Sequence, residues 1–255
     1  MSGQDSNAAN ENGNSKQQPF LSHLAELRER LLKGIYCILA VFICLFYFAN
    51  DIYHWLATPL LSQLPENSMM IATEVASPFF APLKLTLFVA LIISVPYLLY
   101  QAWSFIAPGL YESERKFALP LLIASFFLFY LGMSFAYFIV FPLLFAFFSA
   151  TAPEGVSIMT DITQYLDFVL KILFAFGLAF EVPVATFLII WSGIKTIEEL
   201  ESKRPYIFIG AFVVGMLLTP PDIISQILLA IPIWLLFESG LLLARYLLPE
   251  NISAD

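Results

Sequence analysis

The chain has 255 residues, of which 60% are hydrophobic and 16% aromatic, while only 13% are charged. Soluble domains carry about a quarter charged residues, so this composition excludes an ordinary water-soluble enzyme and a disordered chain. A formal charge of −8 excludes the basic surface that a nucleic-acid binder needs.

Residues 1–18 are rich in Asn, Ser, Gln and Gly and read as a disordered cytoplasmic leader. No small-residue cleavage site precedes the first apolar run, so no secretory peptide is expected to be removed. The next segment, PFLSHLAELRERLL (19–32), places Phe20, Leu24, Leu27 and Leu31 at helical spacing, with His23, Glu26 and Arg30 off that stripe. It is expected to form an amphipathic helix at the membrane interface, leading into the first span. Glu26 and Arg30 stand four apart, which by spacing alone is a surface pair worth about 0.2–0.5 kcal/mol.

A helix crosses a bilayer with about 20 mostly apolar residues. Six segments are candidates: residues 34–50, 79–105, 117–148, 168–191, 207–218 and 223–244. The second carries Lys84 and Pro96, the third outruns the bilayer near Pro142, and the fourth contains Lys171 and Glu181. The fifth has 12 residues, or ~18 Å against a ~30 Å hydrocarbon core, so it must thin the bilayer, recruit flanking residues or be shielded by neighbours. Thr219-Pro220-Pro221-Asp222 separates it from the sixth. The expected fold is therefore an all-α integral membrane protein with six transmembrane helices over residues 19–248, followed by a short cytoplasmic tail at 249–255. No internal repeat is visible.

Orientation follows from the basic residues. Lys16, Arg28, Arg30, Lys33, Arg115, Lys116, Lys195, Lys203, Arg204 and Arg245 all fall in segments on one side. The opposite loops, 51–78, 149–167 and 219–222, contain none. Both termini are expected in the cytoplasm, with Lys84 and Lys171 snorkelling outward from the spans.

Few polar residues lie where chemistry could occur. In FIAPGLYESERK (105–116), Glu112 and Glu114 open a helix, where acids suit the dipole, or form a carboxylate site for a cationic ligand. Glu181 sits mid-span before Pro183, where an acid costs ~2.5–3.5 kcal/mol, so it is expected to face protein or a water-filled cavity. Asp222 either caps the sixth helix or binds something, and Glu238 either snorkels or pairs with Arg245. Cys37 and Cys44 read as small buried hydrophobes. The only histidines, His23 and His54, lie outside the spans, and no metal cluster, nucleophile constellation or phosphate-cradling loop is present, so no cofactor is expected. From these residues alone, a proton-coupled secondary transporter using Glu181 is the favoured reading.

Four blocks point elsewhere. SHLAELRERLL (22–32), FIAPGLYESERK (105–116), FGLAFEVPV (176–184) and the pair KRPY (203–206) with GAFVVGMLLTPPDIISQILLAIP (210–232) closely resemble the TatC family, the multispanning core of the bacterial twin-arginine protein translocase. The resemblance covers about residues 19–248. It implies a cupped six-helix bundle in the inner membrane with short fifth and sixth helices, acting as a non-enzymatic receptor for twin-arginine signal peptides of folded cargo, with export driven by the protonmotive force. By motif, Glu26 and Glu114 would meet the two arginines, with His23, Arg28, Phe105 and Pro108 shaping the site. Met216, Thr219 and Gln226 match the region where the single-span subunits TatA and TatB dock. Glu181, Pro59, Tyr137 and Asp222 match other functionally sensitive positions. Several copies of the chain in one complex are also implied.

Overall fold

A computed structural model describes residues 5–54, 69–106, 115–151, 159–218 and 223–248. The first helix, α1 (Asp5–Phe46), begins inside the polar leader and runs unbroken through the amphipathic segment into the first apolar run. It stops in a turn at Tyr47 and Phe48, and the chain is helical again over residues 49–54.

The next helix, α2 (Ser77–Ile106), holds Pro82 and Pro96 in its interior. A proline has no N–H for the carbonyl four residues earlier, and a bare carbonyl costs several kcal/mol at membrane depth. For Pro96 that carbonyl belongs to Ile92. The Tyr130 hydroxyl of α3 (Arg115–Phe135) donates to it at 2.8 Å, repairing the gap and tying the two helices together. A π turn over Ala136–Val140 then carries α3 into α4 (Phe141–Thr151). There the Phe141 N–H reaches back five residues to the Ala136 carbonyl, just before Pro142, which has none to give.

The fourth apolar run forms α5 (Ile162–Ala179) and α6 (Val182–Trp191), broken at Phe180 and Glu181. The Glu181 N–H bonds the Leu178 carbonyl three residues back at 3.0 Å, and Pro183 starts the new helix from its first turn. A short α7 (Ile197–Ser202), capped by the Thr196 hydroxyl, leads to α8 (Arg204–Leu218) and α9 (Ile223–Leu247).

Among the described residues, four helical stretches are long and apolar enough to cross a membrane: Ser77–Phe105, Leu119–Phe148, Ile162–Trp191 and Gln226–Leu247. The fifth expected span has 15 residues, or ~22 Å, so it is short as expected, although Arg204-Pro205-Tyr206 lengthens it at its start. The sixth departs from the expected short form. It has 25 residues, because the helix continues past Pro232 to Leu247, with its two charges there paired, Glu238 to Arg204 and Arg245 to Glu201.

Among the described residues one pair of short strands is present. Met69–Ile71 (β1) pairs in parallel with Met159–Asp161 (β2), in the register Met69 with Met159 and Ile71 with Asp161. The pairing joins two of the three loops that lack basic residues.

Helix contacts follow small residues. An added Cβ at Gly132 of α3 would lie 2.4 Å from the Phe176 carbonyl oxygen of α5, and one at Gly240 of α9 would lie 2.9 Å from the Pro183 Cα of α6. These glycines let backbones touch where no aqueous hydrophobic effect drives association. The main core gathers Val140, Phe141, Leu144, Val169, Ile172, Phe176 and Leu229, and a second cluster joins Ile190, Ile197, Phe237 and Leu241. Many large apolar side chains, Ile43, Tyr47, Phe138, Leu217 and Tyr246 among them, face outward. Cys44 is also exposed, against the expectation that both cysteines are buried, while Cys37 is half-buried and both are free thiols. Outward apolar faces are the normal surface of a membrane protein, since lipid, not water, covers them.

Candidate functional site

Helical spacing puts Glu26 and Arg30 on one face of α1. The Glu26 Oε1 accepts from the Arg30 Nε at 3.0 Å and from Nη2 at 2.5 Å. Both side chains are partly shielded, at 23% exposure for Arg30 and 36% for Glu26. Arg30 also forms part of the wall of an apolar groove between α1 and α2, a cavity of about 390 Å³ shared with Leu27, Leu31, Gly34, Leu98 and Phe105. Arg30, which is bonded to Glu26, therefore lines the same groove as Phe105. Arg28 is exposed on α1. The His23 side chain, Pro108 and Glu114 lie outside the described residues.

Met216 and Gln226 meet at a second groove, of about 280 Å³, on the outer face of α8, with Phe208, Phe212 and Val213. The Gln226 Nε2 donates to the Phe212 carbonyl at 3.3 Å, which fastens α9 to α8, while Met216 is half exposed. Thr219 and Asp222, between these helices, and Pro59 lie outside the described residues. Tyr137 occupies the π turn, half-buried, with its ring 6.5 Å from that of Phe141.

Glu181 lies at the α5–α6 break, and its side chain caps no backbone N–H. Its Oε1 is buried, and the Ser125 hydroxyl of α3 beside it is buried as well. Neither atom completes a well-formed hydrogen bond among the described residues. The sequence singled out Glu181 but not Ser125, because one hydroxyl in an apolar run carries no signal until the helix register is known.

Further polar contacts escaped sequence reasoning. Lys84 does not snorkel alone but pairs with Asp167 of α5 at 2.6 Å. Glu238 does not pair with Arg245 and does not simply snorkel. It takes the Arg204 fork, with Nε to Oε1 at 2.7 Å and Nη2 to Oε2 at 3.0 Å, because antiparallel α8 and α9 set Arg204 opposite it. Glu201 then receives both Arg204, at 3.2 Å, and Arg245. A separate contact joins Asp161 to Thr73. Among the described residues no cluster of three His, Cys, Asp or Glu is placed to hold a metal ion.

The family model described as Sec-independent protein translocase protein (TatC) matches residues 22–232. The Sec-independent protein translocase protein TatC of Haemophilus influenzae is 57% identical over 236 residues, covering 92% of each chain. The Escherichia coli K12 protein of the same name is 59% identical over 229 residues, covering 90% of this chain and 89% of its own. A crystal structure of the twin-arginine translocase receptor TatC superposes with a TM-score of 0.78 at 39% identity, over 88% of this chain and 98% of that one. With sequence and helix arrangement both matched over nearly its whole length, this multi-pass membrane chain belongs to the TatC family.

Proposed function

We propose that this chain is the receptor and core subunit of a twin-arginine protein translocase, binding twin-arginine signal peptides of folded cargo. The observation that carries the reading is the grip of Glu26 on a guanidinium at the mouth of an apolar groove. A partly desolvated carboxylate forms strong charge-assisted bonds with arginine, and the slot beside it suits the apolar stretch that follows the charges in a secretory signal. Glu114 supplies the second carboxylate, with His23, Arg28, Phe105 and Pro108 around the pair.

In this reading the chain crosses the inner membrane six times with both termini in the cytoplasm, supported by the one-sided placement of its basic residues. The exposed groove at Met216 and Gln226 receives the single-span helices of TatA and TatB, with Thr219 taking part in the docking. Several copies of the chain share one complex. Glu181, Pro59, Tyr137 and Asp222 support the transport step, which the protonmotive force drives without a cofactor. The chain then acts as receptor and scaffold rather than as an enzyme. A solute transporter built on Glu181 is not favoured, because the family model matches residues 22–232 and a TatC relative is 59% identical over 90% of the chain.

The test is cross-linking of a twin-arginine signal peptide to Glu26→Ala and Glu114→Ala variants. Loss in both is expected, and undiminished cross-linking in both would sink the arginine site.

A further inference from the structure

We infer that Arg30 is a built-in competitor for the arginine site: its guanidinium occupies the Glu26 carboxylate at rest and is displaced when a signal-peptide arginine binds. This rests on the reading of Glu26 as a receptor for arginine. The geometry that suggests it is the pair of bonds from Nε and Nη2 to Oε1, made by the same kind of group that the incoming peptide carries. The two residues stand four apart on a helix, so the competitor is never farther than one turn from the carboxylate.

A structural role explains the contact poorly. It joins two residues of one helix rather than two elements, and α1 extends for 42 residues around it. Spaced pairs of this kind add little to helix stability. What the contact does achieve is to hold a guanidinium against a half-buried carboxylate, while remaining weak enough to exchange. The neighbouring pair of Glu29 and Lys33 shows the contrast: it is more exposed, at 67% and 50%, and Lys33 is not part of the groove wall. Because Arg30 lines that wall, exchange at Glu26 also moves a side chain of the groove, coupling recognition of the charges to entry of the apolar segment.

The consequence is quantitative. A spaced pair of this strength favours its closed form by about twofold, so roughly one third of the sites are open at rest, and the apparent affinity is lowered about threefold. A competitor lowers the affinity of every ligand for that carboxylate by the same factor. It therefore leaves the preference of the site for arginine over lysine unchanged.

The experiment measures the dissociation constant of a fluorescent synthetic twin-arginine signal peptide, and of its twin-lysine counterpart, for the full chain in nanodiscs. Arg30→Gln is expected to tighten both about threefold, Arg30→Lys less, and Lys33→Gln, which removes the same charge one turn away, hardly at all in ~0.5 M salt. In a Glu26→Gln background the gain from Arg30→Gln should vanish, because nothing remains to compete for. If Glu26→Gln weakens binding but Arg30→Gln does not tighten it, the competitor is refuted and the receptor site stands. If Glu26→Gln leaves binding unchanged, the receptor site itself fails.

Discussion

Asp161 and Thr73, 88 residues apart, are held together by one carboxylate oxygen: Asp161 Oδ2 accepts from the Thr73 hydroxyl at 2.6 Å and from its backbone N–H at 3.0 Å. The other oxygen, Oδ1, caps α5 by accepting from the N–H groups of Thr163 and Gln164 at 2.9 and 3.0 Å. One side chain thus closes the parallel bridge between two loops and starts the helix that leads to Glu181.

The Thr73 hydroxyl first, then the backbone N–H groups of Gln164, Thr73 and Thr163, hold the Asp161 carboxyl at about 2, below its ordinary 3.8. A depressed folded-state value means the contribution is full above 3.8 and lost as the pH falls through about 2. Amide exchange at Thr73 should therefore stay protected down to about pH 4 and lose protection below it. Asp161→Asn, which keeps an acceptor but not the charge, should show weaker protection with no such acid step.

Arg204 and Glu238 pin the start of α8 to α9 through two parallel bonds. Charge-assisted bonds of this kind contribute about 1.5–3 kcal/mol, and partial exposure of Arg204 places this pair toward the lower figure. Arg204→Ala and Glu238→Ala should each lower thermal stability in detergent, and the double variant should cost less than their sum. Additive losses would show that the two side chains do not act as a pair.

Tyr130→Phe removes the donor that satisfies the Ile92 carbonyl. The loss should be about 1–3 kcal/mol, the usual cost of orphaning a shielded polar group. Adding Pro96→Ala restores an N–H at the position facing that carbonyl, so the double variant should recover most of the lost stability, measured by thermal unfolding.

Gly132→Val should be among the most damaging single changes in the bundle. Its Cβ would meet the Phe176 carbonyl at 2.4 Å, a backbone atom that cannot rotate aside. A loss of about 3 kcal/mol or more, or failure to accumulate in the membrane, is expected.

How far these features were legible depends on how local their causes are. The second and third spans were readable to within a few residues, because each exceeds the bilayer requirement. Glu181 at a helix break was readable from the Pro183 beside it, though the earlier start of that span at Ile162 was not. The Asp161 cap has a local signal, an acid just before a helix, but its bond to Thr73 depends on two loops meeting. Arg204 with Glu238 and Tyr130 with Ile92 likewise join residues 34 and 38 apart, which no spacing rule connects. The sixth helix, Ile223–Leu247, follows its apolar segment at 223–244 more closely than the short form that the family resemblance implies. At the candidate site, the pairing of Glu26 with Arg30 follows from helical spacing, whereas the groove beside it needs the placement of α2.

We propose that this chain recognises the arginine pair in the signal of a folded cargo. The most direct measurement is co-purification of the full chain with a folded cargo bearing a twin-arginine signal, compared with the same cargo carrying Lys-Lys. Retention of the first and loss of the second is the predicted result; equal retention of both would contradict the account.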